Sequence, residues 1–273
     1  MDDFRQLDLG MQMPLDEWLL LNQKVFERPE LMEYVAPFPP PHLMQNVSGL
    51  TSNADFASHG VAIYKAVQDA SPRRLSEYKS ILDFGCGCGR LGRMFKGHPG
   101  KITGCDVDAR HVEWVNESLS YMSAVNTKPN APLPFPDASF DAVISISVFT
   151  HLNESSQRLY LEELSRVSAS GSYLLLTNHG ERAMERALSE ERIFTMLAIP
   201  AEGLQEAAQG MREGRHNFII QPTGHLTTDD YQYGITFIPA SYIRRVWAEY
   251  FDVVEIVSGA IHDFQDIVVC RKR

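Results

Sequence analysis

The chain has 273 residues, 44% of them hydrophobic, enough for one large domain or a catalytic domain with an added cap. Its net charge of -10, with Arg271-Lys272-Arg273 as its only basic run, disfavours a phosphate backbone as partner, so no nucleic acid is expected. No apolar run approaches the ~20 residues that span a bilayer, and the start Met1-Asp2-Asp3-Phe4 lacks a basic, apolar leader, so a cytoplasmic protein with no membrane partner is expected.

Taken in chain order, residues 1–78 read as an N-terminal helical cap. Leu15, Trp18, Leu19 and Val25 fall at helical spacing, Pro37, Pro39, Pro40 and Pro41 break any helix, and a second helix is predicted over Asp55 to Asp69. From Ser80 strand and helix signals alternate. Ile81 to Phe84 is a strand ending in a glycine-rich turn; Leu91 to Phe95 opens a helix; Ile102 to Asp106 is a strand; His111 to Met122 is a helix. Asp141 to Ser147 is a third strand, Asn153 caps the helix that follows, Gly171 closes that helix, and Tyr173 to Thr177 is the next strand. Such alternation implies a mostly parallel sheet with ligands at the carboxyl ends of its strands. The stretch 79–180 is therefore the core, and 181–234, helical and then irregular, is an insertion expected to act as a lid. Residues 235–273 complete the core with one helix and two strands, 252–257 and 266–270, close enough to pair as an antiparallel hairpin. The expected class is a Rossmann-like α/β sheet.

The densest chemical signal is Asp83-Phe84-Gly85-Cys86-Gly87-Cys88-Gly89-Arg90. Three alternate glycines after a strand let a ligand approach the backbone, and a helix start offers unpaired N–H donors to a carboxylate. Asp83 is placed to meet a cationic amino group. Asp106 ends the second strand about 20 residues past the glycine turn, where a carboxylate accepts ribose hydroxyls; Asp108 reads as a solvated helix-start carboxylate. Gly87-Cys88-Gly89-Arg90-Leu91-Gly92 also fits the G-x-G-x-x-G pattern of dinucleotide enzymes, although the strand ends two residues too early for that register. These residues support an adenosine ligand and leave a nucleotide (NAD)-dependent oxidoreductase open. Cys86, Cys88, Cys105 and Cys270 match no zinc spacing and read as small buried thiols, and no metal is expected.

The segment Leu133-Pro134-Phe135-Pro136-Asp137-Ala138-Ser139-Phe140-Asp141-Ala142-Val143-Ile144-Ser145, with the glycine turn, resembles the class I S-adenosylmethionine-dependent methyltransferases, especially the ubiquinone and menaquinone methyltransferase branch. Ser147-Val148-Phe149-Thr150-His151-Leu152, Thr177-Asn178-His179-Gly180 and Gln265-Asp266-Ile267-Val268-Val269 resemble a bacterial subgroup in which SVFTHL recurs. The resemblance covers residues 40 to 271, most densely 80 to 180. It implies S-adenosyl-L-methionine as cofactor, its methionine part held by Asp83, Gly85, Cys86, Gly87 and Gly89, and its ribose by Asp106. Family members commonly place an Asp before the Leu-Pro-Phe stretch to accept from the adenine amino group. This chain offers Asn126, Pro129 and Asn130 instead, and Asn126 is the candidate, since an amide oxygen also accepts. Ser145, Ile146 and Ser147 match the strand end beside the cofactor.

The implied reaction is in-line methyl transfer to a small polar acceptor: a sugar, a glycan precursor or a natural-product scaffold. Positioning supplies most of the catalysis, and a base helps where the nucleophile must lose a proton. His151 and His179, each just past a predicted strand end, are the candidate catalytic bases; the alternative for each is a structural hydrogen bond. His216, His225, Tyr231, Tyr233 and Asp266 are candidates for the acceptor pocket. A non-catalytic S-adenosylmethionine-binding partner protein is the remaining alternative.

Overall fold

The computed structural model describes residues 13–221 and 232–273, which form two compact units divided after Thr127. In the first unit α1 (Leu15–Lys24) buries Trp18, Leu19 and Asn22, and the Trp18 indole donates to the Met94 carbonyl at 3.0 Å. The proline run does not only break helices. Pro41 opens α2 (Pro41–Ser48), because proline at the first helical position gives up an amide that would have no partner there, and Gly49 ends it at φ +71°. In α3 (Asn53–Ala70) the Ser52 side chain accepts from the Asp55 amide. Arg93 fastens the N-terminal segment: its guanidinium donates to the carbonyls of Pro37 (2.7 Å) and Ala36 (2.6 Å) and lies 3.5 Å over the Phe38 ring.

Strands β1 (Ser80–Phe84) and β2 (Lys101–Asp106) pair in parallel, with Asp83 beside Gly104. After β2, α4 (Ala109–Ser118) is capped by the Asp108 side chain, which accepts from the Arg110 amide. This helix is shorter than expected. It ends at Ser118, and Met122 starts β3 (Met122–Asn126), which pairs in parallel with β2. β3 is hidden in the sequence because Leu119 and Met122 continue the apolar spacing of α4 while serving the start of the strand. At Leu91 to Phe95, where a helix was expected to open, the chain makes only a 3-10 turn over Gly92–Phe95.

In the second unit β4 (Phe140–Ser145) is followed by α5 (Glu154–Val167), whose cap is Asn153 accepting from the Ser156 amide at 2.9 Å. Gly171 does not close this helix. The helix ends at Val167, and Gly171 lies inside β5 (Ser168–Asn178) at φ +78°. β4 and β5 are parallel, with a register shift between Phe140 and Ala142.

Helices α6 (Glu181–Ser189), α7 (Glu191–Leu197) and α8 (Ala201–Arg212) then share an apolar cluster with β6 (Asn217–Ile220) and β7 (Gly234–Phe237), including Met184, Leu204, Met211, Ile219 and Phe237. β6 and β7 form an antiparallel ribbon that the polar, aromatic stretch after Arg215 did not announce. After α9 (Ala240–Val246), β8 (Asp252–Ile261) and β9 (Gln265–Arg271) make the expected hairpin, with β9 antiparallel to β5. Parallel β–α pairing in both units and the C-terminal antiparallel hairpin establish the Rossmann-like α/β class.

Candidate active site

In the first unit the chain leaves β1 through Gly85, Gly87 and Gly89, with φ of +76°, +51° and +78°. A side chain at these positions would force a disfavoured backbone. Space also demands glycine: a Cβ at Gly87 would meet the Val47 side chain at 2.8 Å, and one at Gly104 would meet Cys86 Sγ at 2.7 Å. Cys86 is thus a packing residue under the turn, its thiol raised well above the usual range by burial. The amides of Gly85 and Cys86 both donate to the Cys105 carbonyl, at 2.8 and 3.0 Å, which locks the turn onto β2. The following segment is a single 3-10 turn, so no long helix dipole points at the glycine turn.

Asp106 lies at the edge of this turn. Its Oδ2 accepts from the Gly87 amide at 2.8 Å and its Oδ1 from the Asp108 amide at 2.9 Å. Each oxygen keeps a second lone pair, so a pair of vicinal hydroxyls finds two acceptors already oriented. Asn126 donates its Nδ2 to the carbonyls of Asp106 and Val107, both at 3.1 Å. Two carbonyl partners fix the amide's orientation, leaving Oδ1 as the outward acceptor. Asn130, the other amide considered, is committed elsewhere: its Oδ1 accepts from Ser156 Oγ at 2.6 Å and its backbone amide donates to the Tyr160 hydroxyl at 3.0 Å.

Asp83 is buried, and its Oδ2 finds no hydrogen-bond partner among the described residues. Burial pushes its carboxyl up to about 7; the Arg90 guanidinium opposes that rise and the Asp106 charge adds to it. A buried carboxylate oxygen without a partner is costly unless a ligand supplies a donor.

The second unit holds the histidines. Both anchor on one rail, the strand β7. His151 Nδ1 lies 2.8 Å from the Gly234 carbonyl and His179 Nδ1 lies 3.2 Å from that of Thr236, alternate residues of the strand. A carbonyl accepts only, so Nδ1 carries the proton in each ring and Nε2 carries the lone pair. The environments then diverge. His179 is packed between Phe237 and Phe264, with ring centroids 5.5 and 4.8 Å away. Burial first, and His151 second, push its pKa down to about 3. His151 is half-buried and stacks on Tyr233, centroids 4.5 Å apart and planes 18° apart, with the Tyr233 hydroxyl 3.2 Å from its Nε2.

At the end of β4, Ser145 is buried with its hydroxyl unpartnered among the described residues, Ile146 is buried, and Ser147 takes a left-handed backbone at φ +61°. The Ser147 amide donates to Thr177 Oγ1 at 2.7 Å, and its hydroxyl receives the Gln265 amide at 2.9 Å. A non-glycine residue held there stores on the order of 1 kcal/mol, a cost found where chemistry needs a fixed backbone. Thr177 and Gln265, which maintain it, stand in segments that carry the family resemblance, but their part here was not legible in the sequence, because they are 30 and 118 residues away.

Three of the acceptor-pocket candidates have structural surroundings: Tyr233, stacked on His151, and Asp266 and His216. Asp266 is buried, accepts from the Gly259 amide at 2.9 Å, and crowds Gly180, where an added Cβ would collide with its Oδ2. His216 has a buried Nε2 without a partner and faces the Tyr242 ring edge, and burial lowers its pKa to about 4. His225 and Tyr231 lie outside the described residues. Among the described residues, no three His, Cys, Asp or Glu side chains gather as metal ligands, and no helix is long and apolar enough to cross a membrane.

A positive-φ glycine turn leaves β1 and is tied to the carboxylate that ends the neighbouring strand β2, at the end of the sheet where Rossmann-like folds bind ligands. Residues 81–171 match the family model of a methyltransferase domain. Among curated relatives, ajmaline N-methyltransferase of Rauvolfia serpentina is 27% identical over 42% of this chain. The fatty-acid O-methyltransferase of Mycolicibacterium smegmatis is 32% identical, also over 42% of this chain. The chain spans 43% of the length of each. A solved structure of human N-acetylserotonin methyltransferase in complex with SAM shares the fold, with a TM-score of 0.52 at 16% identity over 99% of this chain and 65% of that one. The turn's residues fit that cofactor: the unpartnered oxygen of Asp83 suits an amino group, and the two carboxylate oxygens of Asp106 suit a ribose.

Proposed function

We propose that this chain is an S-adenosyl-L-methionine-dependent methyltransferase acting on a small polar molecule. The observation that carries the reading is the buried, unpartnered Asp83 carboxylate oxygen under a turn whose glycines cannot take side chains. Asp83, Gly85, Gly87 and Gly89 hold the methionine part; Cys86 shapes the turn from beneath. Asp106 takes the ribose hydroxyls and Asn126 Oδ1 the adenine amino group. Ser145, Ile146 and Ser147 form the strand end assigned to the cofactor by family resemblance. The bound cofactor supplies an activated methyl group; the chain's own residues orient the acceptor and move its proton.

Of the two histidines, His151 is the base and His179 holds β7 in place. A ring sealed between two phenylalanines with its pKa near 3 takes up a proton poorly at neutral pH. Residues 181–234 form the acceptor lid, supported by the apolar cluster shared by α6, α7, α8 and the β6–β7 ribbon. The relatives named for an alkaloid and a fatty acid support a small-molecule acceptor, as does the net charge of -10. The location proposed is the cytoplasm.

Calorimetric titration with S-adenosylhomocysteine, with NADH as control, tests the cofactor reading. Micromolar binding of the first alone is expected. Binding of NADH alone would put an oxidoreductase in its place, and binding of neither would remove the cofactor assignment.

A further inference from the structure

Two buried arginines, Arg90 and Arg93, follow the glycine turn. Arg93 has its acceptors: Nε donates to the Pro37 carbonyl at 2.7 Å and Nη2 to that of Ala36 at 2.6 Å. Arg90 is 7% exposed, yet among the described residues no hydrogen bond leaves its side chain; the ionisable groups that act on it are the Cys88 thiol and the Asp83 carboxylate. Asp83 is the complementary case. Its buried Oδ2 lacks a donor, and the Arg90 charge acts on it without a hydrogen bond between the two. A buried guanidinium with unfilled donors is costly until an acceptor arrives, as a buried carboxylate is until a donor does. A carboxylate brought to this turn finds little else to accept from. The amides of Gly85 and Cys86 donate to the Cys105 carbonyl at 2.8 and 3.0 Å, that of Gly87 to Asp106 Oδ2 at 2.8 Å, and that of Gly89 to the Cys86 carbonyl at 3.0 Å. No long helix follows to point its own amides at the turn.

We propose that Arg90 receives the carboxylate of the cofactor's amino-acid head while Asp83 receives its amino group, so that this end of the site is a receptor for a zwitterion. The inference rests on the methyltransferase reading and deepens it, because it gives the methionine part a second charged partner. A guanidinium suits the role: its planar fork of donors matches the two oxygens of a carboxylate. Binding completes both groups at once. The carboxylate fills the Arg90 donors, and the amino group fills Asp83 Oδ2. A ligand with only one of the two charges leaves the other protein group buried and unpaired, so the pair selects for the intact amino acid.

The test is calorimetric and needs no methyl acceptor. S-adenosylhomocysteine is compared with its decarboxylated analogue, which keeps the adenosine and the amino group. The wild type is expected to bind the first about 30-fold more tightly, the discrimination that hydrogen bonds to a charged group supply. Arg90→Met keeps a long apolar stem and removes the charge. It should lose about 30-fold for S-adenosylhomocysteine and change by less than about threefold for the analogue. Arg90→Lys, with a charge but no fork, should recover part of the discrimination. Asp83→Asn should weaken both ligands alike, because both carry the amino group. An Arg90 with a merely structural role would weaken the two ligands equally when replaced, and that result would overturn the proposal, as would an Arg90→Met protein that keeps the wild-type preference. A wild type that binds the two ligands alike would overturn it even if no Arg90 variant folds. A wild type that binds neither would remove the methyltransferase reading and this inference with it.

Discussion

Asp106 Oδ2 accepts the backbone amide proton of Gly87 across 2.8 Å and nineteen residues of sequence. One carboxylate thus shapes the glycine turn and keeps lone pairs that, in the proposed function, accept from a ribose. Asp106→Ala should therefore weaken S-adenosylhomocysteine binding by two routes at once, a loosened turn and lost hydroxyl contacts. Hydrogen bonds to a charged group contribute roughly 1.5–3 kcal/mol each, so a loss of at least tenfold in Kd by calorimetry is expected. An unchanged Kd would show that binding depends on neither route.

Asp83 sets a pH dependence whose sign follows from its burial. Its carboxyl titrates at about 7 in the fold against an ordinary 3.8. Between those values the folded chain holds a proton that the unfolded chain has released, so stability of the ligand-free protein falls as pH rises from about 4 to 7 and levels off above. Asp83→Asn should flatten that decline in thermal melts. Cofactor binding has the opposite sense: an amino group favours the carboxylate, so S-adenosylhomocysteine should bind more tightly as pH rises toward 7. Affinity independent of pH in the wild type would contradict the pairing.

Gly87 is constrained twice, by φ of +51° and by the Val47 side chain, which would lie 2.8 Å from a Cβ at this position. Gly87→Ala should cost about 1–3 kcal/mol in urea unfolding, the usual range for overpacking and strain. The Val47→Ala, Gly87→Ala pair should recover the steric part and leave the backbone part, a coupling that a double-mutant cycle measures.

Gly180 precedes α6 and lies against Asp266, whose Oδ2 occupies the space an added Cβ would need. Gly180→Ala should lower the unfolding midpoint by an amount equivalent to about 2 kcal/mol. Replacing Asp266 by Gly in the same background should restore part of it. If Asp266 instead serves the acceptor, its replacement would change KM and leave stability alone.

Local chemistry was legible in the order of the residues. Alternate glycines after Phe84, the carboxylates Asp83 and Asp106, the cap at Asn153 and the strands that became the C-terminal hairpin could be read because each depends on neighbours a few residues away. The misleading signals were local too. Leu119 and Met122 extended the apolar period of α4 although Met122 begins β3, and Gly171 looked like a helix end although it lies within β5. Telling the two histidines apart required contacts between distant segments. His151 and His179 have the same place in their β–α units, and nothing nearby in sequence distinguishes them. The difference arises because β7, more than fifty residues beyond both, brings Tyr233 to one ring and Phe237 to the other, while Phe264 closes over His179. Burial and hydrogen-bond partners fix a histidine's protonation, and in this chain tertiary packing supplies both.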